Sequence, residues 1–471
     1  MDIINIGRKD VVWSYIATFL KIGVGVILLP FILRVFPQET VTIWNIFTTI
    51  IVLTTLFDFG FNQSFARNVS YVISGVKELK TTGYQPVGSN AEIDYSLFKG
   101  LIDAMKWFYS RISIIFFAVL SIIGTYYIYI VLQSYTGSHN EVYIAWIILI
   151  VVNSYSLYTY YYDALIQGKG LVKRAKQIEI TGQVIYLIVA VILIQLRFNL
   201  IAVISAQALS IIIRRILLHR NIYTQEFKRM LENTIALPKR EYIKPILPNA
   251  LKLGATSLGS FFVTRSALII GPLYLPLNNM ASYGITIQII NIIAGIAGVY
   301  FIAYQPKIAQ YRIYNDSNAI KQIYLKGCFL MSVIFIIGGV ILIVFGNWTL
   351  TFINSKTPLL SSMYITAILI ISFLETNHSN AGSILLTKNE VPFFKASLLG
   401  GIGTLLLLLL FLNYTYLYIW GIILAQGIVS GIYSNWKWPY EVCRQLHINR
   451  KDIIKIFNYE KIKMFTMRFV G

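Results

Sequence analysis

The sequence predicts an all-α integral membrane protein with about twelve transmembrane helices in two pseudo-symmetric six-helix lobes. Three observations carry that prediction. Of 471 residues, 56% are hydrophobic and 13% charged, where a soluble chain has roughly a quarter charged. The apolar residues gather into runs of about the length that crosses a bilayer. Two sequence patterns recur about half a chain apart. A soluble multi-domain enzyme, a disordered chain and a disulfide scaffold are excluded. Cys328 and Cys443 fall in separate segments and form no framework.

Twelve runs are long enough to span, near 11–36, 41–66, 112–133, 142–167, 178–196, 199–218, 246–272, 280–303, 327–347, 359–385, 393–412 and 415–435. The first is too long for a cleavable signal peptide, and no small-residue cleavage site follows it. The charges then orient the spans. Lys and Arg total 40 against 20 Asp and Glu, a net charge of +20. With the N-terminus inside, 34 of the 40 cations fall on the cytoplasmic side. The outer loops hold Arg34, Arg197 and Lys356; Lys21, Lys252 and Arg265 lie inside spans. Cytoplasmic retention of Lys and Arg explains that asymmetry and places both termini inside. It also excludes a nucleic-acid partner, because the cations alternate with apolar spans and form no single patch. The outer loops are too short for an extracytoplasmic catalytic domain. Around Gly168-Lys169-Gly170 no phosphate-binding loop signature forms, so no ATPase is expected.

The repeat pairs Phe36-Pro37-Gln38 through Trp44-Asn45-Ile46 with Leu275-Pro276-Leu277 through Tyr283-Gly284-Ile285. A second match pairs Leu171–Ala175 with Val391–Ala396. Each half holds an even number of spans, so the halves relate by an axis along the membrane normal. Transporters built this way place a substrate site between the halves. The expected organisation is an N-terminal lobe over 1–220 with a polar cytoplasmic insertion near 67–111. A cytoplasmic linker over 221–245, a second lobe over 246–436 and a basic amphipathic tail over 437–471 follow.

Polar residues inside spans are the candidate functional groups, since a charge at mid-bilayer costs roughly 2.5–3.5 kcal/mol on insertion scales. Lys21 lies about 15 Å into span 1 and shares a face with Ser14, Thr18 and Gly25. Span 2 carries Asn45, Thr48, Thr55, Asp58 and Asn62. Asp58 is deep enough to meet Lys21, either as a structural ion pair or as part of a cavity wall. Span 7 carries Lys252, near the inner end, and Arg265, deep and flanked by Thr264 and Ser266. In span 8, Gly284, Gln288, Asn291, Gly295 and Gly298 share one face, which suits close packing or a cavity wall. Span 10 carries Glu375, His378, Ser379 and Asn380; Glu375 is a candidate cation or proton site, or a counter-ion for Arg265 or Lys21. Asp163 lies among Tyr158, Tyr160, Tyr161 and Tyr162 and reads as part of an interfacial aromatic belt. The cationic excess, with hydroxyl and amide groups, suits an anionic substrate rich in hydroxyls. The tail reads as an amphipathic helix on the inner leaflet.

Leu28-Leu29-Pro30-Phe31-Ile32-Leu33-Arg34-Val35-Phe36, Trp44, Leu56-Phe57-Asp58-Phe59-Gly60-Phe61 and Ala66-Arg67 resemble spans 1–2 of polysaccharide exporters. Ala164-Leu165-Ile166-Gln167-Gly168 and the basic residues after it are similar too. The family is that of the Wzx-type O-antigen and capsule repeat-unit flippases, in the multidrug/oligosaccharidyl-lipid/polysaccharide exporter superfamily. The sequence departs from its pattern at Thr42 and Ile43, where a Gly near Trp44 is usual, and in the long 67–111 connection. The resemblance implies a MATE-like arrangement of two lobes around a central cavity. It implies a non-enzymatic transporter of the bacterial cytoplasmic (inner) membrane that flips undecaprenyl-pyrophosphate-linked oligosaccharide outward. Polysaccharide polymerase and glycosyltransferases are the implied partners. Lys21, Arg265, Arg34 and Lys252 would then hold pyrophosphate and sugar, with Asn45, Gln288 and Asn291 beside them. No metal or other cofactor is expected. Coupling to a proton or sodium gradient would fall to Asp58 or Glu375. The alternatives are a multidrug/cation antiporter of the same superfamily and a membrane glycosyltransferase or polymerase.

Overall fold

The computed structural model describes residues 8–79, 93–232, 234, 240–243, 247–314, 316–387, 391–449 and 452. Among these there is no strand, as expected where backbone groups in lipid must be satisfied within a helix. The chain divides into two compact units, Met1–Ser257 and Leu258–Gly471.

The first unit contains α1 (Arg8–Val35), α2 (Gln38–Leu56), α3 (Phe61–Ile73), α4 (Tyr95–Val119), α5 (Thr125–Leu132), α6 (His139–Tyr158), α7 (Tyr161–Gly168), α8 (Val172–Gln195), α9 (Asn199–Ile222), α10 (Gln225–Glu232) and α11 (Arg240–Ile243). Helix α12 (Leu247–Ile270) carries the chain from one unit into the next. The second unit continues with α13 (Leu277–Ile313), α14 (Ser317–Phe352), α15 (Ser362–Leu386), α16 (Phe394–Tyr414), α17 (Ile419–Ile432) and α18 (Ser434–Gln445). The two sequence repeats fall at matching places. Pro37 caps α2 and Pro276 caps α13, both in extended backbone. A Pro at this point loses no helical hydrogen bond, because its missing N–H would have been unpaired anyway.

Several expected spans are broken helices. Span 2 divides at Phe57–Gly60 into α2 and α3. Gly60 has φ 74°, and a Cβ there would come within 2.8 Å of Leu253 Cβ, so both backbone and packing select glycine. Span 4 divides into α6 and α7 at Thr159–Tyr160. Span 3 is α4 and α5 joined by a π-helical turn over Leu120–Gly124. Among the described residues, nine helices are long and apolar enough to cross a membrane. α15 is long enough, but Glu375, Asn377, His378 and Asn380 dilute its apolar content. α17 has only 14 residues.

Helix ends depart from the expected borders where buried contacts reward extension. α3 runs on to Ile73 and α4 begins at Tyr95, so much of 67–111 is helix. Asp94 caps α4 by accepting from the Ser96 and Leu97 amides at 2.9 and 3.0 Å, and Leu97, Phe98, Leu101 and Ile102 are buried. Residues 80–92 of the expected insertion lie outside the described residues. The linker forms α10, whose Phe227 is buried against Phe98 at 5.4 Å between ring centroids. The first part of the expected tail is α18. It packs Trp438, Val442 and Leu446 into a core with Phe301, Ile320, Tyr324, Ala381 and Ile384. This part of the tail therefore buries its apolar face on protein. Residues 453–471 lie outside the described residues. On the outer surface of both units stand large apolar side chains such as Ile122, Ile188, Phe345 and Leu399, suited to lipid.

Candidate functional site

Within the first unit, α3 packs on α7, and α4 on α6. Phe61, Phe65, Phe108, Tyr109 and Tyr160 form a continuous aromatic group, with Phe61–Phe108 centroids 4.0 Å apart. Asp58 is buried against this group. The Tyr109 hydroxyl donates to Asp58 Oδ1 at 2.5 Å. The Asn62 amide donates to both carboxylate oxygens at 3.1 Å, and Asn62 Nδ2 donates to Tyr160 O at 2.9 Å. Asp58 thus terminates on a tyrosine and a helix N-terminus, and the expected meeting with Lys21 does not occur. Lys21 is exposed on α1.

Tyr160 also lies under Arg215, whose guanidinium carbon is 5.8 Å from the ring centroid. Arg215 is 4% exposed and pairs with Asp163 at 2.5 Å. It also donates to Ser156 O and Oγ at 3.2 and 3.1 Å. Asp163 is therefore the counter-ion of a buried arginine, not simply a member of an interfacial aromatic belt. A desolvated Arg needs such a partner.

Within the second unit, α12, α13 and α15 enclose a cavity of about 420 Å³. Its wall includes Ser260 and Thr264 from α12, Gly295, Gly298 and Gln305 from α13, and Glu375, Thr376, His378, Ser379, Asn380 and Ser383 from α15. Glu375, Ser379 and Ser383 recur every four residues and so share one helix face. Ser430 of α17 donates to Glu375 Oε1 at 2.5 Å. His378 Nδ1 lies 2.9 Å from Asn435 Oδ1, on the first turn of α18. Among the described residues, Glu375 is held by this hydroxyl and forms no ion pair with Arg265. Arg265, half-buried, has Tyr283 as its electrostatic neighbour.

The other expected residues scatter. Arg34 and Lys252 are exposed. Asn45 is buried, with its Nδ2 lacking a hydrogen-bond partner. The span-8 stripe divides: Gly295 and Gly298 reach the cavity, Gln288 is half-buried with an unpartnered Oε1, and Asn291 is exposed. The composition of the spans missed Tyr109, Arg215, Ser430 and Asn435. For Arg215 a signal existed, since it stands seven residues inside the end of α9. Among the described residues, no group of three or more His, Cys, Asp or Glu is placed to hold a metal ion.

In each unit a carboxylate is thus bonded to a hydroxyl, Asp58 to Tyr109 and Glu375 to Ser430.

No family model matches the chain, and no curated protein matches it by sequence. Solved structures match it over nearly its whole length. The lipid II flippase MurJ, in an inward closed conformation, aligns at a TM-score of 0.60 and 14% identity, covering 98% of this chain and 93% of its own. A MOP-superfamily transporter from Pyrococcus furiosus, described as having a binding pocket of reversed polarity, gives 0.57 and 14%, covering 95% and 98%. An inward-facing multidrug resistance MATE transporter gives 0.56 and 14%, covering 92% and 95%. The chain is a multi-pass membrane protein with the fold of the MATE and MurJ transporters of the MOP superfamily.

Proposed function

We propose that the protein is a flippase for lipid-linked oligosaccharide. It moves an undecaprenyl-pyrophosphate-linked repeat unit of O-antigen, capsule or exopolysaccharide from the inner to the outer leaflet of a bacterial cytoplasmic membrane by alternating access. Both termini are cytoplasmic on this reading, and glycosyltransferases and a polymerase act before and after it. The observation that carries it is the wall of the second-unit cavity. Eight hydrogen-bonding side chains stand there beside a single carboxylate: Ser260, Thr264, Gln305, Thr376, His378, Ser379, Asn380 and Ser383 with Glu375. Such a wall suits a sugar, whose many hydroxyls both donate and accept. A multidrug antiporter for organic cations would be served better by several carboxylates.

Lys21, Arg34, Lys252 and Arg265 are the proposed partners of the pyrophosphate, through charge-assisted hydrogen bonds. Asp58 and Glu375 are the proposed sites of proton or sodium coupling. The test is complementation of a strain whose own repeat-unit flippase is deleted. The chain should restore surface polysaccharide. Lys21→Ala with Arg265→Ala should cut it severalfold at normal protein level, while lipid-linked precursor builds up inside. Full export by the double variant overturns the cationic assignment. Drug resistance without export would favour the antiporter.

A further inference from the structure

A second cavity, of about 360 Å³, lies wholly within the first unit. Ala66, Arg67 and Ser70 of α3, Gln167 of α7, Lys176 and Glu179 of α8, Arg214 of α9 and Asp163 line it. By the charge distribution along the chain these helix ends face the cytoplasm. Both carboxylates of the wall are already committed. Asp163 pairs with Arg215 at 2.5 Å and Glu179 with Lys176 at 2.9 Å. Among the described residues, neither Arg67 nor Arg214 has a carboxylate partner. Arg214 Nε is buried with no hydrogen-bond partner at all, an unfavourable state for a charged donor. The position of Arg214 is built: its methylenes lie on Gly182, where any Cβ would collide with them, and Ser210 Oγ donates to Gly182 O at 2.8 Å beside it. A glycine here keeps the guanidinium laid across α8.

We infer that this cavity is an anion site for a phosphate group, taking the phosphodiester headgroup of an inner-leaflet anionic lipid or free phosphate, with Arg67 and Arg214 as its ligands. The chemistry follows from the donor set. Two guanidinium forks left over after internal pairing match the oxygens of a phosphate. Basic pockets between transmembrane helices at the cytoplasmic side suit acidic headgroups. The site lies inside one unit and does not depend on which substrate is transported. It rests only on the assignment of these helix ends to the cytoplasmic side.

The test uses the full-length protein in detergent, titrated with phosphatidylglycerol, phosphatidylcholine or inorganic phosphate. Thermal unfolding and native mass spectrometry are the readouts. Phosphatidylglycerol should raise the midpoint and stay bound, and phosphatidylcholine should do neither. Arg67→Gln and Arg214→Gln should each weaken the apparent affinity about tenfold. Lys228→Gln, which removes an exposed charge from α10, should leave it unchanged. Arg214→Lys should retain part of it. If Arg214→Gln does not fold, Arg67→Gln, on an exposed side chain, carries the test alone. If inorganic phosphate reproduces the shift with the same loss in the variants, the anion is soluble and the site stands. Equal response to both lipids, or full affinity in Arg67→Gln and Arg214→Gln, overturns the inference.

Discussion

Tyr109 donates its hydroxyl to Asp58 at 2.5 Å across 51 positions of sequence, and both side chains are buried. The bond makes Asp58 part of the first unit's own framework. Tyr109→Phe keeps the ring packed against Phe65 and Tyr160 and removes only the donor. Asp58 keeps its Asn62 amide donor, and the loss of one hydrogen bond to a carboxylate costs about 1.5–3 kcal/mol. We expect unfolding of Tyr109→Phe in mild detergent to shift by that amount. An unchanged midpoint would show that the bond contributes nothing.

The Asp163–Arg215 pair should be more sensitive. Removing one partner of a buried pair leaves an uncompensated charge and costs about 3–5 kcal/mol. Asp163→Asn is therefore expected to lower the folded yield sharply. Combining it with Arg215→Met should recover much of the loss, because an apolar side chain of similar length needs no counter-ion. The comparison of single and double variants by size-exclusion profile is decisive. Equal damage in both would mean that packing, not charge, is at stake.

Lys169 gives a pH signature outside the spans. Burial pushes its ammonium down to about 8 from an ordinary value of 10.5. Its Nζ lies 3.3 Å from the Phe227 ring centroid and donates to Ile222 O at 3.1 Å. The folded-state value lies below the unfolded one. Between pH 8 and 10.5 the unfolded chain therefore holds more protons, and stability rises with pH. The gain is lost as pH falls back toward 8, and below 8 both states are charged. Lys169→Met should flatten this rise in a series of thermal midpoints. A wild-type curve that falls across the window would contradict the assignment.

Trp438 anchors α18 in the core of the second unit. Truncating a buried Trp to Ala costs about 3–5 kcal/mol. Trp438→Ala should destabilise by that order and raise proteolytic cleavage around Ser434–Gln445. A helix lying on lipid would show little change in detergent-solubilised protein, which makes protease resistance of the variant the contrary result.

The apolar spans and their number were legible because hydrophobicity is local and additive over a run of about twenty residues. Pro37 and Pro276 were legible because a proline at a helix start loses no hydrogen bond, and both repeats place one there, whereas Pro30 and Pro439 stand inside helices. The partners of the polar residues were not. Asp58 is deep enough to reach Lys21, but depth says nothing about rotation around the helix, and Asp58 lies within the break between α2 and α3 at Phe57–Gly60. By sequence Arg215 falls among the 34 cytoplasmic cations, because composition cannot separate a buried arginine from a solvated one. Glu375 stood out as a mid-span carboxylate, but its donor, Ser430, is one of many hydroxyls in apolar helices. The docking of α18 was hidden because an amphipathic face fits protein and lipid equally well.

The bond between His378 and Asn435 has a practical meaning. Asn435 is the second residue of α18, and His378 stands on the wall of the 420 Å³ cavity. The chain beyond α17 is thus no disposable appendage for trimming. A truncation ending at Tyr433 removes a side chain that holds part of the cavity wall. Any shortened version should keep everything through Leu446.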